Sequence, residues 1–497
     1  MARLIPWNAG AALAALLCCA ACAGDAATET THDAPAPALP ATPPPPDHSA
    51  FVAAVDALAA DALARGPVAG LSIAVFSKGE RVLAKGYGLA DVESFLPATP
   101  DTSYPIASVS KHFTAALVLR LADQGRLSLD DPLARFFPDA RPQIGVLTLR
   151  NLLDHTSGLT RGGTAPRAAA ESVLRRGGTA RAPGEIWDYS NYNFSLLGLA
   201  IEQVTGRDYA SLVRDELAAP LGLGGTGYCE DGTGVPGRAR DYLSSGRRLS
   251  PTDYWTGGRF FAGGGLCSTV LDLVAFERAL EDGRVVSPAM LRAMRTSTPL
   301  PGGIAAGYGL GTRLGATAGR AKIGHTGGGQ GNKAVLARYP AEDLTIAVLF
   351  NTERDHAEVT PNELEERIAR LFFAGEPEAR ADAPPAGELL RCVGQYREGP
   401  RLSSVTEDAG MLLLRPGLRD QKQSRLFASP GGGLVSADDP SVELRFQVAN
   451  GEPLALSRYR NGWFSGVAVR SAEAFVEPQP RPRARPHTKR TRSRAKR

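Results

Sequence analysis

The chain has 497 residues and an ordinary globular composition, and its positive charge is concentrated at one end. Hydrophobic residues make up 43% and charged residues 22% of the sequence, which excludes collagen, a coiled coil and disorder of the whole chain. The length allows two or three domains. The formal net charge is +4, but residues 481–497 contain nine lysines and arginines and no acid, so the remainder carries −5. The sequence therefore predicts no nucleic-acid partner.

The first 23 residues predict a secretory signal peptide, because Arg3 precedes an uncharged run that ends in small residues. Two processing routes are open. Signal peptidase cleaves before Gly24, or Cys22 becomes the lipidated first residue of a bacterial lipoprotein. An uncleaved anchor ranks third, since the run is only just long enough to span a bilayer. We therefore expect a periplasmic protein, an outer-membrane-anchored lipoprotein of a Gram-negative bacterium, or a secreted protein.

Three cysteines lie outside the predicted signal, namely Cys229, Cys267 and Cys392. An oxidising compartment permits a disulfide between Cys229 and Cys267, with Cys392 left over. Three buried free thiols are equally consistent with the sequence. The cysteine pattern alone leaves both possibilities open.

The next segments predict a tether followed by an α+β domain. Residues 24–49 are rich in proline and predict an extended tether without a core. Apolar residues then recur at helical spacing from Phe51 to Ala62. Strands are predicted in two hairpins, and a closing helix follows near Leu364; the strand residues are 71–76, 81–86, 333–339 and 344–350. Strands from both ends of residues 50–375 thus flank a helical middle.

This order predicts an antiparallel sheet that carries the first and last helices on one face, together with an inserted helical region. Residues 376–388, rich in proline, predict a linker. Beyond it, polar and apolar residues alternate from Val442 to Val448 and the turn Asn450-Gly451 follows, so residues 389–475 predict a small all-β module. Residues 476–497 predict a basic disordered tail that contacts cell-wall polymer or anionic membrane.

The motif Ser108-Val109-Ser110-Lys111 opens a helical pattern and is the first candidate for chemistry. Three residues are almost one turn, so Ser108 and Lys111 share one face of the helix. A serine hydroxyl becomes nucleophilic when a neighbouring base takes its proton, and a helix N-terminus stabilises developing negative charge. The alternative interpretation is that Ser108 is only a helix cap.

Two further motifs follow in the same domain. In the extended motif Tyr189-Ser190-Asn191, the first and third side chains project the same way, and an adjacent ammonium lowers the pKa of a tyrosine. The motif His325-Thr326-Gly327, continued by Gly328, is predicted to form a turn before the strand at residue 333 and to let substrate approach the backbone. Each motif alone also fits a purely structural role.

Taken together, the three motifs and their order resemble those of the penicillin-recognising serine hydrolases, the β-lactamase-related family. That family includes class C β-lactamases, D-alanyl-D-alanine carboxypeptidases, D-aminopeptidases and esterases. The resemblance covers about residues 50 to 375 and extends to further stretches, which are residues 129–133, 152–159, 189–193 and 264–269. It implies a β-lactamase/transpeptidase-like fold.

The resemblance also implies a role for each motif residue. Ser108 would be the acylated nucleophile, Lys111 would share its proton, and Tyr189 would act as general base and protonate the leaving group. Asn191 would orient Lys111 and the substrate amide. The other substrate-binding residues would be His325, Thr326, Gly327 and Gly328, and the backbone N–H groups of Ser108 and Gly328 would form the oxyanion hole.

The sequence departs from the lactamase pattern at His325, where lactamases carry lysine and peptidases or esterases often carry histidine. We therefore expect hydrolysis of D-amino-acid peptides, amides or esters, with a true β-lactamase or a non-catalytic penicillin-binding-like envelope protein as alternatives. Segments 162–181 and 242–261 are expected to shape the pocket. No Gly-x-Ser-x-Gly elbow, His-Glu-x-x-His motif or P-loop occurs, so no metal or cofactor is predicted.

Overall fold

The computed structural model describes residues 47–65, 68–159, 163–229, 235–245, 248–255, 258–354, 359–375, 391–398, 401–408, 411–416, 423–428, 433–449 and 452–472. The predicted signal peptide, nearly all of the tether, the linker, the basic tail and the Asn450-Gly451 turn lie outside these residues. Among the helices in these ranges, none is both long and apolar enough to cross a bilayer.

The α-helices of the described residues all lie in the first three quarters of the chain. They are α1 Ser49–Arg65, α2 Ser110–Asp123, α3 Pro142–Gly145, α4 Leu149–Leu153, α5 Arg167–Arg176, α6 Asn191–Thr205, α7 Tyr209–Val213, α8 Ala219–Leu221, α9 Val270–Glu281, α10 Pro288–Met294 and α11 Pro361–Phe372. Most of them fall between the two groups of strands that build the central sheet, which is the inserted helical region that the sequence predicts.

The strands fall into a mixed N-terminal part and an all-β C-terminal part. The first part contains β1 Gly70–Ser77, β2 Glu80–Asp91, β3 Leu96–Pro97, β4 Tyr104–Pro105, β5 Gly227–Tyr228, β6 Tyr242–Ser245, β7 Arg248–Pro251, β8 Leu266–Ser268, β9 Pro299–Leu300, β10 Ile304–Ala305, β11 Arg313–Thr317, β12 Arg320–Gly329, β13 Asn332–Tyr339, β14 Leu344–Phe350 and β15 Thr352–Arg354. The second contains β16 Gly394–Glu398, β17 Arg401–Asp408, β18 Met411–Arg415, β19 Ser424–Ala428, β20 Leu434–Ser436, β21 Val442–Ala449, β22 Glu452–Arg460 and β23 Trp463–Ser471.

The central sheet joins strands from the two ends of the first part, as the sequence predicts. Its order is β11-β12-β13-β14-β1-β2-β3, and neighbouring strands are antiparallel. The first hairpin meets the last through β1 and β14, where Ile73 lies opposite Val348. Both strands are almost entirely buried because helices cover both faces of the sheet.

The first and last helices lie on the same face of this sheet. Val55 and Ala62 of α1 share one apolar cluster with Leu364 and Ile368 of α11 and with sheet residues such as Ile346. The helical region packs on the opposite face, where α2, α6 and α9 contribute to a second and larger cluster. The α+β fold class predicted from the sequence is therefore confirmed.

One local prediction needs correction. The His325-Thr326-Gly327 motif does not form a turn before β13, because it lies within β12 and pairs with β13. His325 is opposite Leu336 and Gly328 is opposite Lys333. The glycine run suggested a turn, but glycine in a strand also permits the close approach of another backbone.

The C-terminal strands form a closed barrel. Each strand from β16 to β22 pairs with the next in an antiparallel manner, and β16 also pairs with β23, with Tyr396 opposite Arg470. Closure leaves no free edge in this group of strands. The all-β C-terminal module predicted from the alternating pattern is confirmed.

The barrel is joined directly to the central sheet. Trp463 of β23 pairs with Gly315 of β11, and the fully buried Lys322 of β12 lies behind this junction. The Lys322 ammonium donates to Glu365 at 2.7 Å and to the carbonyl oxygen of Asn461 at 3.2 Å, and it lies 4.5 Å from the Trp463 ring centre. A buried ion pair thus links the sheet, α11 and the barrel.

A disulfide joins Cys229 and Cys267, whose Cα atoms are 5.6 Å apart. Cys267 lies in β8 and Cys229 directly follows β5, and these two strands pair with each other. Cys392 is a buried free thiol. Of the two possibilities that the cysteine pattern left open, the structure contains the disulfide.

Removing the buried cation at the junction should strongly destabilise the protein. In Lys322→Ala, the Glu365 carboxylate would remain buried without its ion pair, at an expected cost of about 3–5 kcal/mol. Intrinsic tryptophan fluorescence during urea unfolding would measure this loss of stability. The matched control is Arg370→Ala, which breaks an exposed pair with Glu366 on α11 and should cost less than about 1 kcal/mol. Equal losses in the two variants would contradict the inferred role of Lys322.

Candidate active site

Ser108 lies in a single turn of 3₁₀ helix, Ala107–Val109, immediately before α2. Ala107 adopts a φ of +47°, a left-handed conformation that costs a residue with a Cβ on the order of 1 kcal/mol or more. The residues that cap this turn and α2 are Ile106 and Val109, and neither provides a side-chain cap. Ser108 is therefore not a helix cap, and its half-buried hydroxyl is left for another role.

Lys111 is the centre of the polar contacts around Ser108. Its fully buried ammonium lies 3.0 Å from Ser108 Oγ, 2.8 Å from Asn191 Oδ1 and 2.6 Å from the carbonyl oxygen of Gly263. Burial lowers the pKa of Lys111, and the nearby charge of Arg313 lowers it further. In its neutral form the amine can donate to Asn191 and Gly263 and accept the proton of Ser108.

Tyr189 lies beside the same group and is half-buried. The Lys111 ammonium is 5.0 Å from the centre of its ring, and the Arg313 guanidinium is 5.2 Å from the same centre. Burial by itself raises the pKa of Tyr189, but the charges of Lys111 and Arg313 outweigh that effect and lower it. Tyr189 therefore ionises more readily than an ordinary phenol, which suits a general base.

The backbone conformation of Ser190 explains why the side chains of Tyr189 and Asn191 both lie next to Lys111. Ser190 is extended, with φ −133° and ψ 127°, and Asn191 is the first residue of α6. The flanking side chains consequently both reach Lys111, as their spacing predicts. The Asn191 amide nitrogen also donates to the carbonyl oxygen of Gly163 at 2.7 Å, which fixes the amide so that its oxygen faces the ammonium.

An aromatic cluster holds the Tyr189 ring in place. The His155 ring centre is 4.3 Å away, and those of Trp187 and Tyr308 are 6.3 and 6.4 Å away. Trp187 in turn packs edge-on against Phe464 of the barrel at 5.0 Å. The barrel therefore contributes to the packing that positions the phenol.

His325 is placed differently from the expectation that it contacts substrate. Its imidazole is fully buried; Nδ1 donates to the carbonyl oxygen of Thr326 at 2.7 Å, and Nε2 accepts from the hydroxyl of Tyr308 at 2.9 Å. Burial, together with the charges of Arg313 and Lys111, lowers its pKa well below the usual value. The imidazole is therefore neutral at physiological pH and faces the interior.

The glycines of the same motif bring β12 against the turn that carries Ser108. A Cβ on Gly327 would lie 2.2 Å from the carbonyl oxygen of Ile106, so any side chain there would force the strand away. Thr326, Gly327 and Gly328 line one cleft together with Ser108 and Tyr189. The backbone N–H groups of Ser108 and Gly328 remain the predicted oxyanion hole.

The cleft has a volume of about 550 Å³, and parts of its lining come from segments that the sequence motifs did not indicate. Arg313 and Lys333 line it from the central sheet, and the N-terminus of α11 lines it at Thr360–Glu363. The barrel supplies a further wall, formed by Asp439, Ser441, Arg460 and Asn461. The sequence predicts that residues 162–181 and 242–261 shape the pocket. Among their described residues, Gly163 contacts the site, where its carbonyl oxygen accepts a hydrogen bond from the Asn191 amide nitrogen.

Two groups of this site were missed by the sequence analysis. The carbonyl oxygen of Gly263 could not be predicted, because every residue has a backbone carbonyl and the residue type does not reveal which one is used. The neighbouring residues 264–269 did resemble the family. Arg313 belongs to no motif. Its guanidinium donates to the carbonyl oxygen of Phe464 at 2.6 Å, so a strand of the barrel holds this cation next to Tyr189.

Comparison with known proteins agrees with this geometry. A family model described as Beta-lactamase matches residues 55–370. A D-aminopeptidase of Brucella anthropi is 31% identical over 318 residues, which cover 59% of this chain and 58% of that protein. The chain thus spans about three fifths of the length of the curated relatives it matches.

Two solved structures are similar over more of their own length. The octameric penicillin-binding protein homologue from Pyrococcus abyssi is 26% identical with a TM-score of 0.60, covering 84% of this chain and 99% of that one. The D-amino acid amidase from Ochrobactrum anthropi SV3, solved with D-phenylalanine, is 27% identical with a TM-score of 0.58, covering 65% and 99%. The family match extends over more than half of the sequence and includes the serine, tyrosine and histidine motifs, so this chain belongs to the beta-lactamase family.

Proposed function

We propose that this protein is a serine hydrolase that cleaves D-amino-acid amides and short peptides that begin with a D-residue, through an acyl-enzyme on Ser108. The carrying observation is the buried Lys111 ammonium, which contacts Ser108, Asn191 and Gly263 at once. The substrate class is supported by similarity to proteins named D-aminopeptidase and D-amino acid amidase.

Acylation requires a base for the Ser108 proton and an acid for the leaving group. The Ser108 oxygen attacks the amide carbon as its proton passes to the group formed by Lys111 and Tyr189, both of which have a lowered pKa. The N–H groups of Ser108 and Gly328 receive the oxyanion. Tyr189 then protonates the departing amine, which breaks the C–N bond and leaves an ester on Ser108. Water, deprotonated by the same base, hydrolyses that ester.

The cleft suits a small substrate that carries an ammonium group. The carboxylates of Glu363 and Asp439 line it, and so does Arg460, which pairs with Asp439 at 3.0 Å. We propose that the free amino group of a D-amino-acid amide binds on this side, at Glu363 and in competition with Arg460 for Asp439. The barrel wall also limits how far a longer chain can extend. This arrangement favours removal of a terminal residue over cleavage within a long peptide.

We also propose that the protein works outside the cytoplasm, either secreted or held by a lipid on Cys22, with its basic tail resting on anionic lipid or cell-wall polymer. The Cys229–Cys267 disulfide supports an oxidising compartment. The predicted signal and tail lie outside the described residues, so mass spectrometry of the mature N-terminus would decide between cleavage before Gly24 and lipidation of Cys22.

Ser108 should be the residue that is acylated. Ser108→Ala should lower the turnover of D-alanine amide by several powers of ten, because the covalent route is lost, whereas the exposed Ser94→Ala should keep wild-type activity. Mass spectrometry after treatment with a fluorophosphonate should locate the adduct on Ser108. An adduct on another serine would overturn the assignment. A cephalosporin and a short-chain nitrophenyl ester, assayed in parallel, would measure the lactamase and esterase alternatives.

Removing the charge of Arg313 should shift the pH profile. Because that charge lowers the pKa values of both Tyr189 and Lys111, Arg313→Gln should raise both. The acid limb of kcat/KM against pH, which reports the base, should then move up by about one unit. The exposed Arg284→Gln should leave the profile unchanged. An unshifted acid limb in Arg313→Gln would show that this cation does not tune the base.

The carboxylate of Asp439 should lower the KM of positively charged substrates and leave the KM of neutral substrates unchanged. Asp439→Asn keeps the shape of the side chain but removes its charge and leaves the Arg460 cation at the cleft without this partner, so the KM for D-alanine amide should rise roughly tenfold, which corresponds to about 1.4 kcal/mol. The KM for a neutral nitrophenyl ester should not change. Asp438→Asn is a matched control, since this neighbouring carboxylate does not line the cleft. Equal effects on the two substrates would argue against ammonium recognition.

A further inference from the structure

The C-terminal barrel contains a second cavity, which adjoins the catalytic cleft and shares Asp439 and Arg460 with it. Its volume is about 620 Å³, and the described residues that line it belong to the barrel strands or their connections. Closed barrels of eight strands are wide enough to hold one small ligand, and the volume falls in the range of small-molecule sites, roughly 300–1,000 Å³. Nothing in the proposed hydrolysis uses this space.

Part of the cavity lining is apolar. Alternating residues of single strands face inward, as in Val442 and Leu444 of β21 and in Leu456 of β22. Leu414 and Ala468 complete this apolar lining, while serine hydroxyls are interspersed among them. An aliphatic chain placed there would be removed from water at a gain of ~25 cal/mol per Å².

Four of the six charged residues in the cavity lining are paired, and the other two are the exposed Asp438 and the half-buried Arg401. Arg458 forms an ion pair with Glu398 at 3.0 Å, and Arg460 forms one with Asp439 at 3.0 Å. Arg401 also lines the cavity and is half-buried, yet among the described residues no carboxylate pairs with it. A partly buried guanidinium without a counter-ion is a strong recognition group for carboxylates.

The geometry keeps the paired charges out of the centre of the cavity. A Cβ on Gly466 would lie 2.5 Å from Glu398 Oε1 and 2.7 Å from the Arg458 guanidinium, so this glycine leaves room for that ion pair against the wall. Arg401 is consequently the cation in the lining that has no carboxylate partner among the described residues. We propose that the barrel binds one small amphipathic carboxylate, with its chain against the leucine-lined interior and its carboxylate on Arg401.

Titration calorimetry of the full chain with octanoate tests this proposal, with octylammonium and octanol as probes of charge. We expect octanoate to bind with one-to-one stoichiometry and at least tenfold more tightly than either analogue. Arg401→Gln should weaken octanoate binding by at least tenfold. The matched control is Arg425→Gln, which removes an exposed arginine from β19 of the same barrel and should leave the affinity unchanged.

A separate test must show that octanoate binds within the barrel rather than in the catalytic cleft, because Asp439 and Arg460 border both cavities. Ala468→Phe should fill the barrel and abolish octanoate binding, with circular dichroism confirming the fold. If that variant does not fold, the comparison of Arg401→Gln with Arg425→Gln still decides. The proposal is overturned if octanoate does not bind, if octylammonium binds equally well, or if Arg313→Gln in the catalytic cleft, rather than Arg401→Gln, removes binding.

Discussion

The structure depends on placing one lysine ammonium in the protein interior beside a serine. A buried charge is costly unless its hydrogen bonds are satisfied, and Lys111 meets that condition only because three separate segments converge on it. They provide a serine hydroxyl, a side-chain amide and the backbone carbonyl of Gly263. The fold of the helical region can be understood as the means of holding these acceptors at fixed distances. The same burial lowers the pKa of Lys111 and thereby makes it able to exchange a proton with Ser108.

The barrel is part of this arrangement rather than an appendage. Its strand β23 continues the central sheet at Gly315 and accepts a hydrogen bond from Arg313 through the carbonyl of Phe464. The Phe464 ring meanwhile packs on Trp187, which belongs to the cluster around Tyr189. A shift of the barrel would consequently move both a cation and an aromatic support of the base. This coupling gives a physical reason for the two parts to remain docked.

The sequence predicted the helices, strands and motif pairs that depend on local residue patterns. It did not predict the parts of the site that form only when distant segments come into contact. Helical spacing located α1 and α11, alternation located β21 of the barrel, and the motif of Ser108 and Lys111 marked a pair that the structure brings within hydrogen-bonding distance. The barrel wall of the cleft could not be predicted, since Asp439 reaches it only through folding of a distant segment. His325 was placed in a turn because glycines follow it, whereas those glycines serve the approach of β12 to Ile106.

The histidine at position 325 makes physical sense once Arg313 is taken into account. Tyr189 already lies close to two cations, Lys111 and Arg313. A lysine at position 325 would add a third positive charge to the same buried region, which would raise the cost of burying these charges. A neutral imidazole avoids that cost and still accepts the hydroxyl proton of Tyr308 in a hydrogen bond. In this chain the permanent positive charge near the base therefore comes from β11, held by the barrel, and the histidine motif supplies packing and a glycine approach to the nucleophile.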